Sequence, residues 1–165
     1  MLPIAGILLH VLSDQPTAYT EWFYELDLPG AFHAGIMRRV ILSLPNCESR
    51  RPDQTLILSD THDTGDGLAG DKLISAMIGD GWTMVHLPYG GEVKVDMAKA
   101  CPLDKGWRAW WIDPKDGSRR LATAGEKLPE RRSPTGREFV APSGGSKEND
   151  WLLLVEQVWE LATAI

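Results

Sequence analysis

The sequence predicts a mainly β fold: an antiparallel β-sandwich preceded by an N-terminal helical segment. Three observations carry this. Near residue 55 the hydrophobic period changes from helical to alternating. Turn signals then recur between short apolar runs, as in Gly79-Asp80-Gly81, Tyr89-Gly90-Gly91 and Asp113-Pro114. Finally, Trp107, Trp110, Trp111 and Ile112 crowd one short stretch with side chains that suit a pleated, half-buried surface.

Taken in order, residues 1–12 are apolar but too short to span a bilayer. They lack the basic start and small-residue cleavage site of a signal peptide, so they read as a buried helix or strand. Thr17 can cap a helix through Trp22, Phe23 and Leu26, which Leu28-Pro29-Gly30 ends. A second helix is expected over 31–44. Phe32, Ile36, Val40 and Leu44 recur every fourth residue, Met37 and Ile41 widen the stripe, and Pro45-Asn46 stops it.

Strands are then expected over 55–59, 72–78 and 82–87, the last two forming a hairpin. Residues 60–71 between the first two make a polar loop. Glu92 to Met97 alternates polar and apolar, which gives a strand with one wet and one dry face. Trp107 to Asp113 pairs with the strand after Gly117. Residues 122–137 read as a long loop, 138–141 as a short strand ending at Pro142, and 143–149 as a turn. The near-continuous apolar run over 150–158 suits a strand buried on both faces, and the chain closes in a helical or frayed segment.

A chain of 165 residues, 43% hydrophobic and 24% charged, suffices for one domain with a real core. Lys and Arg number 17 and Asp and Glu 23, and 17 − 23 gives a net charge of −6. A nucleic-acid binder would carry a basic footprint instead. Arg119, Arg120, Lys127, Arg131, Arg132 and Arg137 do cluster, and a solvated loop is preferred to an anion site there. Cys47 and Cys101 are too few for a zinc site or a disulfide scaffold; one disulfide and two free thiols both stay open.

Trp110 to Gly117 followed by Phe139-Val140-Ala141-Pro142 and then Asp150-Trp151-Leu152-Leu153-Leu154 resembles a family pattern. The pattern is an aromatic strand, "DP-x-x-G", "F-x-x-P" and a closing "DW-x-L-x-L". It is that of the β-sandwich, labelled collagen-binding, which ends apiosidase-like glycoside hydrolases. Upstream, Leu28-Pro29-Gly30-Ala31 and Arg51-Pro52-Asp53-Gln54 look like the segment joining barrel to sandwich in those proteins. The resemblance covers roughly residues 20–156. It implies two regions: 1–50, a helical lead-in like the end of a barrel, and 51–165, the sandwich. Family members carry a (β/α)₈ barrel before this region, which needs roughly 200 residues or more, and this chain does not have it.

The resemblance therefore implies a non-catalytic accessory sandwich. Its expected role is to pack on a glycoside hydrolase barrel or to bind an extended polymer, a polysaccharide or collagen. The alternative is a fragment of an active glycoside hydrolase whose barrel is missing from this chain. No catalytic residue, cofactor, nucleic acid or membrane partner is expected. The sequence assigns no compartment, and an extracellular one stays open.

The residues agree with that reading. Asp60, Asp63, Asp66 and Asp71 are the densest acidic cluster, but the spacing of Asp63 and Asp66 is not that of an EF-hand. A solvated loop is preferred there to a calcium site built another way. His10, His33, His62 and His86 show no metal spacing. The serines show no nucleophile elbow, and Ser143-Gly144-Gly145-Ser146 lacks the lysine and helix of a phosphate loop. Binding candidates are aromatic, because exposed rings stack on sugars or on a proline-rich helix. Strand alternation sends Trp110 and Trp111 to opposite faces, one toward the core and one outward. Tyr89, beside a Gly-Gly turn, is the next candidate.

Overall fold

The computed structural model describes residues 29–62, 70–101, 106–125 and 136–158. The chain divides after Phe32, and all the strands belong to the second unit. The expected first helix, the apolar start and the tail after 158 lie outside the described residues, as do most of the 60–71 and 122–137 loops.

The expected second helix is α1, Pro29–Leu42. It begins two residues before the expected start at 31 because proline is pre-organised for the first helical position, where its missing N–H costs nothing. Among the described residues eight strands follow: β1 (Arg51–Pro52), β2 (Ser75–Ile78), β3 (Trp82–Leu87), β4 (Gly90–Asp96), β5 (Trp107–Ile112), β6 (Arg119–Gly125), β7 (Gly136–Gly144) and β8 (Trp151–Gln157). A one-turn helix, α2 (Met97–Ala100), follows β4 and is capped by the Asp96 carboxylate accepting from the Ala98 N–H. Among the described residues no helix is long and apolar enough to cross a membrane.

The strands form two antiparallel layers. One sheet has six strands in the order β1-β2-β3-β8-β5-β6, and β4 and β7 pair as the second. The mainly β sandwich is therefore the observed fold. Alternation decides which side chain enters which layer. Trp107, Ala109 and Trp111 of β5 face the space between the sheets. There they meet Val85 and Leu87 of β3, Leu153 and Val155 of β8, and Val93, Val95 and Phe139 of the second sheet. Trp107 meets Phe139 edge-on, with centroids 6.5 Å apart and planes at 77°. Trp111 meets Trp151 with the same separation and angle.

The opposite face of the large sheet is covered by α1. Ile36, Val40 and Leu44 pack on Trp82, Met84, Ile112, Leu152 and Leu154, with Trp110 and Met77 at the margin. Strand β8 thus lies between two apolar layers. Leu152 is 1% exposed, and Leu153, Leu154 and Val155 are 0%. Each such side chain contributes roughly 1.5–3 kcal/mol relative to an exposed one. The unbroken apolar run of β8 is what a central, doubly covered strand requires.

Several expected boundaries differ from those observed: β2 begins at Ser75 rather than 72, and residues 122–125, expected as loop, belong to β6. In place of 55–59 the chain makes a 3₁₀ turn, Gln54–Leu56, because Asp53 accepts from both the N–H and the hydroxyl of Thr55. Ile57 then makes an isolated bridge to β4 opposite Val95, and the Leu58 N–H donates to Lys94 O at 2.7 Å. Strand β7 runs past Pro142 to Gly144. It pairs with β4 alone, and the register shifts between Gly90 and Glu92, so Pro142 sits where a missing N–H breaks no regular ladder. Gln54 pins the start of the sandwich. Its amide donates to Ile74 O and accepts from Ala76 N. Cys47 and Cys101 form no disulfide, and Cys101 is fully buried.

Candidate binding surface

Antiparallel pairing brings the β3–β4, β5–β6 and β7–β8 connections to one end of the sandwich. Leu87 of β3 lies opposite Trp151 of β8, Ile112 of β5 lies opposite Leu152, and Gly90 lies opposite Gly144. The close approach of the last pair depends on glycine. Gly90 has φ +62°, and a Cβ there would lie 2.0 Å from Ser143 O. The Gly145 N–H donates to Tyr89 O at 2.9 Å, and Lys115 of the β5–β6 turn donates to Glu148 O. Asn149 donates to Gly144 O and to Ser146 Oγ, which ties the β7–β8 connection to itself.

Tyr89 stands at this end, partly exposed. Its hydroxyl donates to Asp71 at 2.7 Å, and Lys72 Nζ lies 5.5 Å from its ring centre. The ring is held by its hydroxyl and by the cation, so it is oriented before any ligand arrives. Nearby, the Trp151 indole donates to Ser143 Oγ at 2.9 Å. Arg120 lies over the outer side of Trp151, 5.5 Å from the ring centre. His86, also at this end, has its imidazole pushed below the ordinary value by burial, an effect that the Asp150 carboxylate opposes.

The two tryptophans do take opposite faces. Trp111, 4% exposed, lies in the core between the sheets. Trp110 packs at the margin of the α1 layer, and its indole donates to Glu156 at 2.7 Å. Each face of the large sheet carries a covering layer, so Trp110 and Tyr89 keep partial exposure while Trp111 is enclosed. Asp63 and Asp66 lie outside the described residues, among which no three His, Cys, Asp or Glu side chains converge on one point.

The basic stretch has a use that its composition did not reveal. Arg120 and Arg137 lie over Trp151 and Trp107, the latter at 4.8 Å from the ring centre. Arg119 donates to Ser43 Oγ across to the end of α1. Lys127, Arg131 and Arg132 lie outside the described residues.

Residues 51–156 match the family described as "Putative collagen-binding domain of a collagenase". The chain belongs to that family. The match begins at β1 and ends one residue before β8 does, so the collagen-binding-domain family comprises both sheets of the sandwich. Among solved structures the fold is that of a segment of a "Glycoside hydrolase", with 24% identity and a TM-score of 0.65 over 84% of this chain. A glycoside hydrolase family 5 protein from Bacteroides vulgatus ATCC 8482 gives 22% identity and 0.65 over 82%. This chain spans 28% and 26% of those two chains. No curated protein matches it.

Proposed function

We propose that this collagen-binding-domain sandwich is an accessory module that packs on a glycoside hydrolase barrel and presents the Tyr89 end to an extended polymer. The observation that carries this reading is one of proportion. Over four-fifths of the chain follows the fold of glycoside hydrolases that are themselves about three times as long. In such proteins the sandwich is a part, and the remainder is long enough for a barrel of roughly 200 residues or more.

The polymer half of the reading rests on Tyr89. A ring fixed in place by Asp71 and Lys72 loses little freedom on stacking against a sugar or a proline-rich helix. Trp110, anchored through Glu156, is a second stacking surface on the α1 side.

The test uses the chain as it stands, passed over an insoluble polysaccharide and over immobilised collagen. Retention on one of them, lost in Tyr89→Ala with an unchanged melting temperature, supports polymer binding and names the polymer. Addition of a glycoside hydrolase barrel from the same family, followed by gel filtration, tests packing through formation of a 1:1 complex. Binding to neither polymer and to no barrel would sink the proposal. Glycosidase activity from this chain alone would instead make the sandwich itself an enzyme.

A further inference from the structure

A second surface lies on the helix side of the large sheet, where the β5–β6 turn docks on α1. Between them is an open cleft of about 220 Å³ lined by Ile36, Arg39, Val40, Ser43, Asp116, Gly117 and Arg119. Its floor is apolar: Ile36 and Val40 are 9% and 6% exposed. Its walls are charged. Arg39 rises from the last turn of α1 and Arg119 from the first residue of β6.

The cleft is built rather than incidental. The turn approaches the helix at Gly117, which has φ +77°; a Cβ there would lie 3.1 Å from Ile36 Cγ2. Arg119 is aimed by Ser43, whose oxygen accepts from its guanidinium at 3.3 Å while the Ser43 hydroxyl donates to Val40 O at 2.7 Å. Asp116 is held in place by the Ser118 N–H at 2.7 Å, which also keeps its carboxyl below the usual carboxylate range. Among the described residues neither Arg39 nor Arg119 forms an ion pair, although the chain as a whole is acidic.

We propose that this cleft binds a sugar acid: a single hydroxylated ring bearing a carboxylate. Two guanidinium forks offer paired donors to one carboxylate. Asp116 accepts hydrogen bonds and repels anions, so it selects a ligand that brings hydroxyl donors to that wall. The apolar floor suits the C–H face of a ring. A bare inorganic anion satisfies the arginines but sets its own charge against Asp116, and a neutral sugar leaves both arginines without a counter-charge. The cleft's volume is below that of drug-sized sites, about 300–1,000 Å³, and matches one small ring. This inference stands apart from the Tyr89 reading, since a free monosaccharide tests the cleft whatever the polymer columns show.

The experiment is a calorimetric or NMR titration of the full chain with glucuronate, glucose and inorganic sulfate. The expected result is saturable glucuronate binding that weakens with salt, together with weaker binding of both glucose and sulfate. Arg39→Gln and Arg119→Gln should each weaken glucuronate about ten-fold or more, as loss of a charge-assisted contact does. Arg38→Gln, which removes the same charge one residue away from the lining, should leave binding unchanged. Wild-type affinity in both lining variants, sulfate binding as tight as glucuronate, or no saturable binding would each overturn the proposal.

Discussion

Gly79 lies directly over the indole of Trp82: a Cβ on Gly79 would fall 2.2 Å from Trp82 Cε2. The same indole donates from Nε1 to Pro45 O at 2.9 Å, 37 residues earlier in the chain. Trp82 is 1% exposed and therefore enclosed by a turn on one side and by the exit of α1 on the other. The helix layer is clamped to the sheet at this point.

Gly79→Ala should accordingly destabilise the fold by about 1–3 kcal/mol, as overpacking a filled site does. Thermal unfolding monitored by near-ultraviolet circular dichroism reads it. An unchanged midpoint would mean that the Trp82 ring is free to move, contrary to its enclosure.

Stability should depend on His86 in a defined pH window. Burial lowers the folded-state pKa of His86 below the ordinary histidine value of about 6.5, so the unfolded chain binds more protons there. The contribution is complete above about pH 6.5 and is lost as the pH falls from there toward the lower folded value. Urea midpoints measured from pH 8 to 5 should fall through this window. In His86→Gln that part of the slope should be reduced, and a slope identical to wild type would remove His86 as the cause.

The two thiols should react at very different rates. Cys47 is partly exposed, whereas Cys101 is 0% exposed within the core. A chromogenic disulfide reagent should therefore titrate one thiol quickly in the native protein and the second only in denaturant. Two fast thiols in buffer would contradict the burial of Cys101.

Trp110→Phe keeps the ring on the α1 layer but removes the donor to Glu156. The expected cost is about 1–2 kcal/mol, the net value of a hydrogen bond to a charged group at a partly exposed site. Trp110→Phe with Glu156→Gln in a double-mutant cycle isolates the coupling. Additive effects would show that the contact contributes nothing.

Much of this molecule was legible in local pattern. The period change near residue 55, the Gly79-Asp80-Gly81 hairpin, the alternation of Glu92 to Asp96 and the continuous apolar run of β8 each depend on near neighbours in the chain, which is what periodicity records. Where the reading of elements went astray, a single side chain had redirected the backbone, as Asp53 does by capturing Thr55.

By itself, the sequence determined the sandwich, its family motifs and the opposed faces of Trp110 and Trp111, because strand geometry makes neighbours point apart. Only the tertiary structure decided what covered each face. The stripe of α1 fills one side of the large sheet, β4 and β7 fill the other, and Trp111 becomes core while Tyr89 stays partly exposed. The tertiary structure also placed Arg39 and Arg119 in the lining of one cleft, and Arg120 and Arg137 over indoles. Those neighbours are far apart along the chain. Their meeting is set by the packing of layers, to which no local period is sensitive.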